Sequence, residues 1–328
     1  IGGNFTTIDS ISYVRLARLN ANGSVDRLFT AGFGVNGRVY AIAVNTNSPS
    51  GVGQGGKILV GGSFSSVNGV PRNNLAVLNP DGTVDTTVFT RFGVGADGAV
   101  YAVAFQPDDR IVIGGAFTSI DFRPRSGVAR LNIDGSPDST FDPGYGADQT
   151  VYSLAIEPGT TNIFIGGVFN SYNTTRRMGI ARLLPQSYLD TTFMDTAYNQ
   201  FAGLTVPLST IPRAVCYSIA LQQDGKVMIG GRFNRVGGGV AYPRRVTRAD
   251  VSIRNNVARL IGGGTPGPGN VEFAYPSYTM DEGGTSLFVT MNRTNGYLGA
   301  ATLYFNSSNG TANVGTDYLG ATNQVLTW

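Results

Sequence analysis

The sequence predicts an all-β fold built from repeats, and two observations lead to that prediction. The 328 residues include 46 glycines and only 14% charged residues, a composition typical of many short strands joined by turns. An apolar strand that ends in two glycines, followed closely by a phenylalanine, then recurs five times. Internal repetition at a fixed period indicates a repeat architecture.

The five copies of this motif are IGGNF (1–5), ILVGGSF (58–64), IVIGGAF (111–117), IFIGGVF (163–169) and VMIGGRF (227–233). Their first glycines are at positions 2, 61, 114, 166 and 230, so the steps are 59, 53, 52 and 64 residues. We expect the glycine pair to give clearance to a neighbouring backbone or side chain, and the phenylalanine to anchor the core. A phosphate-binding glycine loop would need a helix after it, whereas a polar loop and a strand follow in this sequence.

Two further strands flank the motif in copies two to five, and the first copy has only the downstream one. Upstream lie VYAIAV (39–44), VYAVAF (100–105), VYSLAI (151–156) and CYSIAL (216–221), which are apolar on both faces and therefore predict strands buried on both sides. Downstream lie RLARLN (15–20), NLAVLN (74–79), GVARLN (127–132), GIARLL (179–184) and NVARLI (256–261). Cys216 takes the place of a valine in the other copies and is expected to be a small buried apolar residue.

Each unit therefore holds three or four antiparallel strands in about 55 residues, and small sheets repeated radially make a β-propeller. Five copies are visible, and the first lacks its VYxxA strand. We expect the sequence to be a piece of a longer chain whose propeller has about six or seven blades.

The sequence predicts a recurring ion pair between the third strand of a unit and the turn that follows it. An arginine precedes an aspartate by eight residues across a hairpin turn, which places the two side chains nearly opposite each other. The predicted pairs are Arg18–Asp26, Arg130–Asp138 and Arg182–Asp190. The second copy has Val77 before Asp85 instead, so the pair is not obligatory.

The ordered elements VYxxA, DGK, IxIGGxF and NxARLNxDGxxDxxF resemble the delta-60 repeat, a propeller-forming family, over residues 1–261. The resemblance implies a large bacterial secreted or surface protein, and no common catalytic activity defines the family. The longest loop of the fifth copy, VGGGVAYPRRVTRADVSIR (236–254), is where binding is expected to be added. Its candidate binding residues are Tyr242, Arg244, Arg245 and Arg248.

After a Gly/Pro linker at 262–269, residues 270–328 resemble the N-terminal part of a Calx-beta domain. The resemblance is carried by Tyr278 with Glu282-Gly283, by the Arg293-Thr294…Gly296 turn, and by the segment NGTANVGTDY (309–318). It implies a truncated immunoglobulin-like β-sandwich. It also implies a possible calcium half-site, with Glu282 and Asp317 at acidic ligand positions, although calcium needs six to eight oxygens.

Composition excludes several chemistries. The chain has no histidine and one cysteine, so Ser-His-Asp catalysis, Cys-His catalysis and a histidine-ligated metal are all excluded. The net charge of +3 is scattered, which argues against nucleic acid. No apolar stretch of about 18 residues is present, so we expect no membrane span in this segment.

We expect a noncatalytic extracellular or cell-surface protein: a structural scaffold, a fibre or surface-layer component, or an adhesin that self-assembles or contacts other surface proteins and glycans. The alternative is a propeller that binds a glycan or protein ligand through its loops, with Tyr145, Tyr172, Tyr198 and Tyr242 as stacking candidates. A carboxylate-dependent hydrolase is the third interpretation. It is disfavoured because acids such as Asp81, Asp134 and Asp224 precede glycine in turns.

Overall fold

A computed structural model describes residues 1–29, 32–46, 55–89, 95–194, 203–206, 213–222, 224–237, 252–260, 270–273, 277–279, 289–294, 302–308, 312–315, 319 and 324–327. Within these ranges the regular structure consists of β-strands and contains no helix. The chain divides into two compact units, one formed by Ile1–Leu221 with Val227–Leu260 and the other by Gln222–Lys226 with Ile261–Trp328.

Four antiparallel sheets of three strands form the body of the first unit. In each, the strand that ends in the glycine pair lies in the middle, between the VYxxA strand and the ARL strand. From first to third strand, the sheets are Arg38–Val44, Ile58–Ser63 and Leu75–Leu78; Val100–Phe105, Ile111–Gly115 and Val128–Leu131; Val151–Ile156, Ile163–Gly167 and Ile180–Leu183; and Val215–Leu221, Val227–Arg232 and Val257–Leu260. The strand order in every sheet is the one expected from the sequence.

Short outer pairings complete the first unit. After each glycine-containing strand the chain makes a small hairpin or ladder, and the pairings are Thr7–Ile8 with Ile11–Ser12, Ser66–Val67 with Val70–Pro71, Ser119–Ile120 with Arg123–Pro124, Ser171–Tyr172 with Thr175–Arg176, and Arg235–Val236 between Leu204–Thr205 and Ser252–Ile253. The expected fourth strand is reduced to isolated bridges, such as Leu78 with Val84 and Leu183 with Leu189. The unit is therefore three-stranded with a bridged turn.

The second unit also has antiparallel pairs in its described residues. Asn270–Phe273 pairs with Met291–Thr294, and Thr302–Phe305 pairs with Gln324–Thr327. These ladders extend the all-β character of the chain beyond the repeats.

The two glycines of a pair lie against different neighbours. A Cβ on Gly61 would lie 2.8 Å from Cγ1 of both Val100 and Val103, which belong to the first strand of the next sheet. A Cβ on Gly62 would instead overlap the carbonyl oxygen of Arg38 in its own sheet. The first glycine therefore sets the spacing between sheets, and the second admits a close backbone approach within one sheet, as the sequence predicts.

The phenylalanines near the glycines fill the core, as expected. Four of the five are buried, at 6, 1, 1 and 2% exposure for Phe64, Phe117, Phe169 and Phe233. Phe5, in the incomplete first copy, is half-buried. A second set that follows the bridged turn is also buried, namely Phe29, Phe89, Phe141 and Phe193. Each of the four core clusters therefore contains one phenylalanine from each set.

Candidate functional site

The candidate site in the first unit is a row of four tyrosines. Each first strand contributes one, directly after its leading apolar residue, and we call Tyr40, Tyr101, Tyr152 and Tyr217 the tyrosine row. The first strands of successive sheets lie next to each other, so the four side chains come together although they are far apart in sequence.

A β-bulge places each of these side chains. In the first sheet Val39 pairs with Gly62 and Ala41 with Gly61, so the register skips Tyr40. The same register shift occurs at Tyr101, Tyr152 and Tyr217. A bulge bends the strand and re-aims one side chain. The second glycine makes room for it by allowing the two backbones to approach closely.

The four rings contact one another in order along the row. The ring centroids of Tyr40 and Tyr101 are 4.7 Å apart, those of Tyr101 and Tyr152 are 5.1 Å apart, and those of Tyr152 and Tyr217 are 5.5 Å apart. The interplanar angles are 32, 62 and 52°, so the rings meet tilted or edge-on. Such geometries are the favourable ones for aromatic pairs.

The row combines burial in its middle with exposure at its ends. Tyr40 is 40% exposed and Tyr217 is 51% exposed, whereas the two central residues are half-buried. Burial raises the pKa of Tyr101, and the neighbouring phenols of Tyr40 and Tyr152 raise it further. Tyr101 is therefore a neutral hydroxyl at physiological pH. It can donate or accept a hydrogen bond beside an apolar ring edge, a combination enriched at protein interfaces and paratopes.

Reasoning from the sequence misses this row, although its signal is present. The VYxxA and CYSxA segments predict strands buried on both faces, and that pattern counts the tyrosine among the core residues. A large residue with a hydroxyl that recurs at one position of four inner strands predicts a shared environment with access to a polar partner.

The three Arg–Asp pairs that the spacing predicts are formed. The closest nitrogen–oxygen distances are 2.8 Å for Arg18–Asp26, 2.7 Å for Arg130–Asp138 and 2.6 Å for Arg182–Asp190. Each guanidinium also lies over the phenylalanine that follows its aspartate, with the guanidinium carbon 5.0, 5.0 and 5.3 Å from the rings of Phe29, Phe141 and Phe193. The arginines thus tie the bridged turn to the core, which is a structural role.

The second copy forms the corresponding ion pair with a different cationic residue. Where the others have arginine, it has the buried Val77, and Lys57 supplies the cation instead, with Nζ 2.6 Å from Oδ2 of Asp85. The arginine missing from this copy is therefore replaced from the neighbouring strand.

The comparisons with known proteins follow the same repeat. A family described as "Domain of unknown function (DUF5122) beta-propeller" matches residues 1–29, 56–87, 106–141, 162–193 and 222–242. The matched segments lie within residues 1–242 and follow the glycine-pair repeat. No curated protein matches the chain. A solved structure of a protein of unknown function from Bacteroides caccae covers 75% of this chain and 69% of its own length at 10% identity, with a TM-score of 0.35, and that likeness carries no argument.

The family match supports the propeller part of the expectation. It ends at residue 242, so the Calx-beta resemblance of residues 270–328 stays a prediction. The candidate calcium ligands Glu282 and Asp317 lie outside the described residues, and so do the loop residues Tyr242, Arg244, Arg245 and Arg248.

Two of the loop tyrosines proposed for stacking are described, and they differ. Tyr145 is 80% exposed, whereas Tyr172 is 1% exposed and its hydroxyl donates to the carbonyl oxygen of Ser187 at 2.9 Å. Tyr172 is therefore a core residue, and its assignment to a ligand-stacking surface is wrong because its side chain points inward from the outer hairpin. Tyr198 lies outside the described residues.

The propeller's turn acids and its cysteine have the roles predicted for them. Asp81 and Asp134 each accept the backbone N–H two residues later, at 2.9 Å. Cys216 is 0% exposed, and burial raises the pKa of its thiol to about 12. Within the described ranges, no three His, Cys, Asp or Glu side chains form a group that could hold a metal ion. In the same part of the chain, no helix has the length and apolar character needed to cross a membrane.

Proposed function

We propose that this protein is a noncatalytic secreted or cell-surface protein that acts as a structural scaffold, a fibre or surface-layer component, or an adhesin. The observation that carries the proposal is the structural use of its carboxylates. A carboxylate-dependent hydrolase needs two acids that face a substrate, whereas the acids that recur in the repeat serve turns and ion pairs.

The third copy illustrates this use. Oδ1 of Asp138 accepts from the backbone N–H and the hydroxyl of Thr140 at 2.8 and 2.7 Å, while Oδ2 accepts from Nε of Arg130 at 2.7 Å. Asp134 caps its turn through Ser136 at 2.9 and 2.6 Å. Both oxygens of Asp138 are thus held by its own hairpin, an arrangement that stabilises the fold.

Electron microscopy of the purified protein tests the scaffold proposal. Ordered filaments or sheets are the expected result, and monodisperse particles at every concentration tried would contradict self-assembly. The same samples imaged with a calcium chelator test the proposed metal dependence, because loss of order on chelation, restored by added calcium, would point to the Calx-beta segment.

Ligand recognition is the second candidate function, and the tyrosine row favours it. Rings and hydroxyls from four sheets line up in one continuous row, which suits a hydroxyl-rich partner such as a glycan. We place the contact on this row rather than on the long loops alone, since Tyr101 and Tyr152 are held in position by bulges and by neighbouring rings.

A glycan array probed with wild type and matched variants tests this second candidate. Tyr101→Ala with Tyr152→Ala is expected to abolish the signal, whereas the exposed Tyr145→Ala, which lies elsewhere in the repeat, is expected to retain it. Tyr101→Phe with Tyr152→Phe keeps the rings and separates stacking from hydrogen bonding. Binding that survives the double alanine change in a folded protein would exclude the row as the site.

We further propose that residues 270–328 form the N-terminal part of a Calx-beta sandwich and that Glu282 and Asp317 contribute to a calcium site there. The sequence resemblance supports this, and the antiparallel pairs of the segment are compatible with a sandwich. Isothermal titration with calcium tests it, with Glu282→Gln and Asp317→Asn expected to remove the heat of binding. An unchanged titration in both variants would exclude these two ligands.

A further inference from the structure

We propose that Lys57 and Asn79 become joined by an intramolecular isopeptide bond, with Asp85 as the group that moves the proton. Lys57 Nζ lies 2.6 Å from Oδ1 of Asn79 and 2.6 Å from Oδ2 of Asp85. An amine, a carboxamide and a carboxylate in mutual contact are the groups that such a reaction requires.

The strand register brings the three residues together. Ile58 pairs with Leu78, so Lys57 and Asn79 are the next residues on two antiparallel neighbours and their side chains lie on the same face. The bridge between Leu78 and Val84 continues the ladder. Asp85 then donates its backbone N–H to the carbonyl of Val77 at 2.9 Å, which places its side chain on that same face.

Further hydrogen bonds fix which atom of Asp85 and of Asn79 faces Lys57. Oδ1 of Asp85 accepts from the backbone N–H and hydroxyl of Thr87 at 2.8 and 2.6 Å, so Oδ2 is the oxygen directed at Lys57. Nδ2 of Asn79 donates to the Thr83 hydroxyl at 2.8 Å, so Oδ1 is the atom turned toward Nζ. What is left before attack is a movement of Nζ from Oδ1 of Asn79 to the face of the carboxamide at Cγ.

The surroundings are dry on the side of the carboxylate. The side chain of Asp85 is 3% exposed and that of Lys57 is 18% exposed. The position that holds an arginine in the four other copies is occupied by Val77, at 1% exposure, so no guanidinium competes for Asp85 from that strand. Burial acts to raise the pKa of Asp85, but hydrogen bonds from Lys57 and Thr87 outweigh it and lower that pKa, so the carboxylate faces Lys57 as an ionised acceptor.

The chemistry balances without an oxidant or a cofactor. Asp85 takes a proton from the Lys57 ammonium, and the freed Nζ lone pair attacks Cγ of Asn79. The Cγ–Nδ2 bond then breaks as Asp85 returns the proton to the leaving nitrogen. The former lysine nitrogen gives up its one extra proton to solvent. The products are a secondary amide and one ammonia. The structure shows the three groups in hydrogen-bond contact, the arrangement that precedes this step.

Only the second copy has all three groups among the described repeats. The third copy has Arg110, Asn132 and Asp138 at the matching positions, and an arginine guanidinium stays protonated and is not a nucleophile. The fourth copy has Asn162 opposite Leu184, which offers neither amine nor amide. The chain has just two lysines, Lys57 and Lys226, so this placement is a marked departure from its use of arginine.

The bond would join two neighbouring strands and close the segment 57–79, which contains an outer hairpin. A covalent link of this kind stabilises by restricting the unfolded chain, as a disulfide does, but it does not depend on redox conditions. It would suit a protein whose one cysteine cannot form an internal disulfide.

Intact mass spectrometry of the folded full chain, followed by peptide mapping, tests the proposal. The expected mass is lower than the sequence mass by one ammonia, and the map should contain a branched peptide that includes both Lys57 and Asn79. A wild-type protein at the full sequence mass, with the two peptides separate, overturns the proposal without any variant.

Variants assign the atoms. Lys57→Arg copies the third copy's Arg110, keeps the positive charge and should restore the full mass, as should Asp85→Asn. Lys226→Arg is the matched control, which should still show the loss. An ammonia loss that persists in Lys57→Arg would come from succinimide formation at an asparagine and would overturn the proposal.

A transplant gives an independent readout. Arg110→Lys with Arg130→Val gives the third copy the residue set of the second, and a second ammonia should then be lost, with a branch between positions 110 and 132. A folded double variant that loses only one ammonia would show that the shared register does not suffice, and would overturn the assignment of the reaction to this register.

Discussion

Gly61 lies so close to Val100 that a Cβ on the glycine would approach Cγ1 of the valine to 2.8 Å. The two residues belong to successive sheets, so this contact sets how near one sheet comes to the next. Gly114 stands in the same relation to Val151, at 2.9 Å. The glycine that weakens a strand by its flexibility therefore contributes by allowing the sheets to pack closely.

Substituting either glycine of a pair is expected to destabilise the fold, to different degrees. Gly61→Ala should lower the free energy of unfolding by about 1–3 kcal/mol, because Val100 and Val103 must shift in a packed core. Gly62→Ala should cost more, since its Cβ would meet the carbonyl oxygen of Arg38, which the bulge holds in place. Urea denaturation followed by circular dichroism measures both. Gly3→Ala, whose Cβ would meet Phe5 at an ordinary 3.4 Å, is the control.

The buried pair Arg130–Asp138 is expected to be sensitive to loss of one partner. Asp138→Ala should cost about 3–5 kcal/mol, because Arg130 would keep its charge in the core without a counter-ion. The side chains are only 6 and 4% exposed. The more exposed Arg18–Asp26 pair should respond less to the matched change Asp26→Ala. Equal losses in denaturation experiments would mean that burial does not decide the contribution.

Acid should weaken the protein through the same aspartates. Burial acts to raise the pKa of Asp138, but hydrogen bonds from Thr140 and Arg130, together with the Arg130 charge, outweigh it and hold the pKa below 3.8. The folded-state pKa is thus lower than the unfolded one. The stabilisation is present above that ordinary value and is lost as the pH falls through the folded pKa. Denaturation midpoints measured down to about pH 2 should fall less steeply in Asp138→Asn than in wild type.

The tyrosine row should show a late phenol in alkaline titration. Because burial raises the pKa of Tyr101 and the phenols of Tyr40 and Tyr152 add to it, this ring should ionise above the ordinary pKa of a tyrosine. Absorbance titration of wild type against Tyr101→Phe isolates its contribution. The changes Tyr40→Phe and Tyr152→Phe should move the Tyr101 transition toward lower pH, and an unmoved transition would leave burial as the whole cause.

Cys216 should behave as a valine would. Its thiol, with a pKa raised to about 12 by burial, should resist a thiol reagent near neutral pH until the protein unfolds. Cys216→Val restores the residue of the other three copies and should change stability by less than about 1.5 kcal/mol. Rapid labelling of the native protein would contradict the buried position.

The sequence is sufficient to predict the repeat, the strand order and the ion pairs, because these depend on local pattern and on fixed hairpin spacing. The segment VYAIAV predicts a strand, yet its apolar run conceals the bulge at Tyr40, which depends on how Val39 and Ala41 pair with the two glycines of the next strand. The sequence misplaces Tyr172 for a related reason, since a polar tip in a loop sequence does not reveal the direction of the ring. The sequence also does not reveal that Lys57 supplies the positive charge that is missing at Val77, because Lys57 belongs to the neighbouring strand.

The bulge determines how the tyrosine row grows when repeats are added. Every added repeat brings its own glycine pair, its own bulge and therefore one more tyrosine next to the last. The tyrosine row thus lengthens by a single ring with each duplicated repeat, and no residue of the existing units has to change. Recombination between repeats would therefore be enough to alter the length of the row.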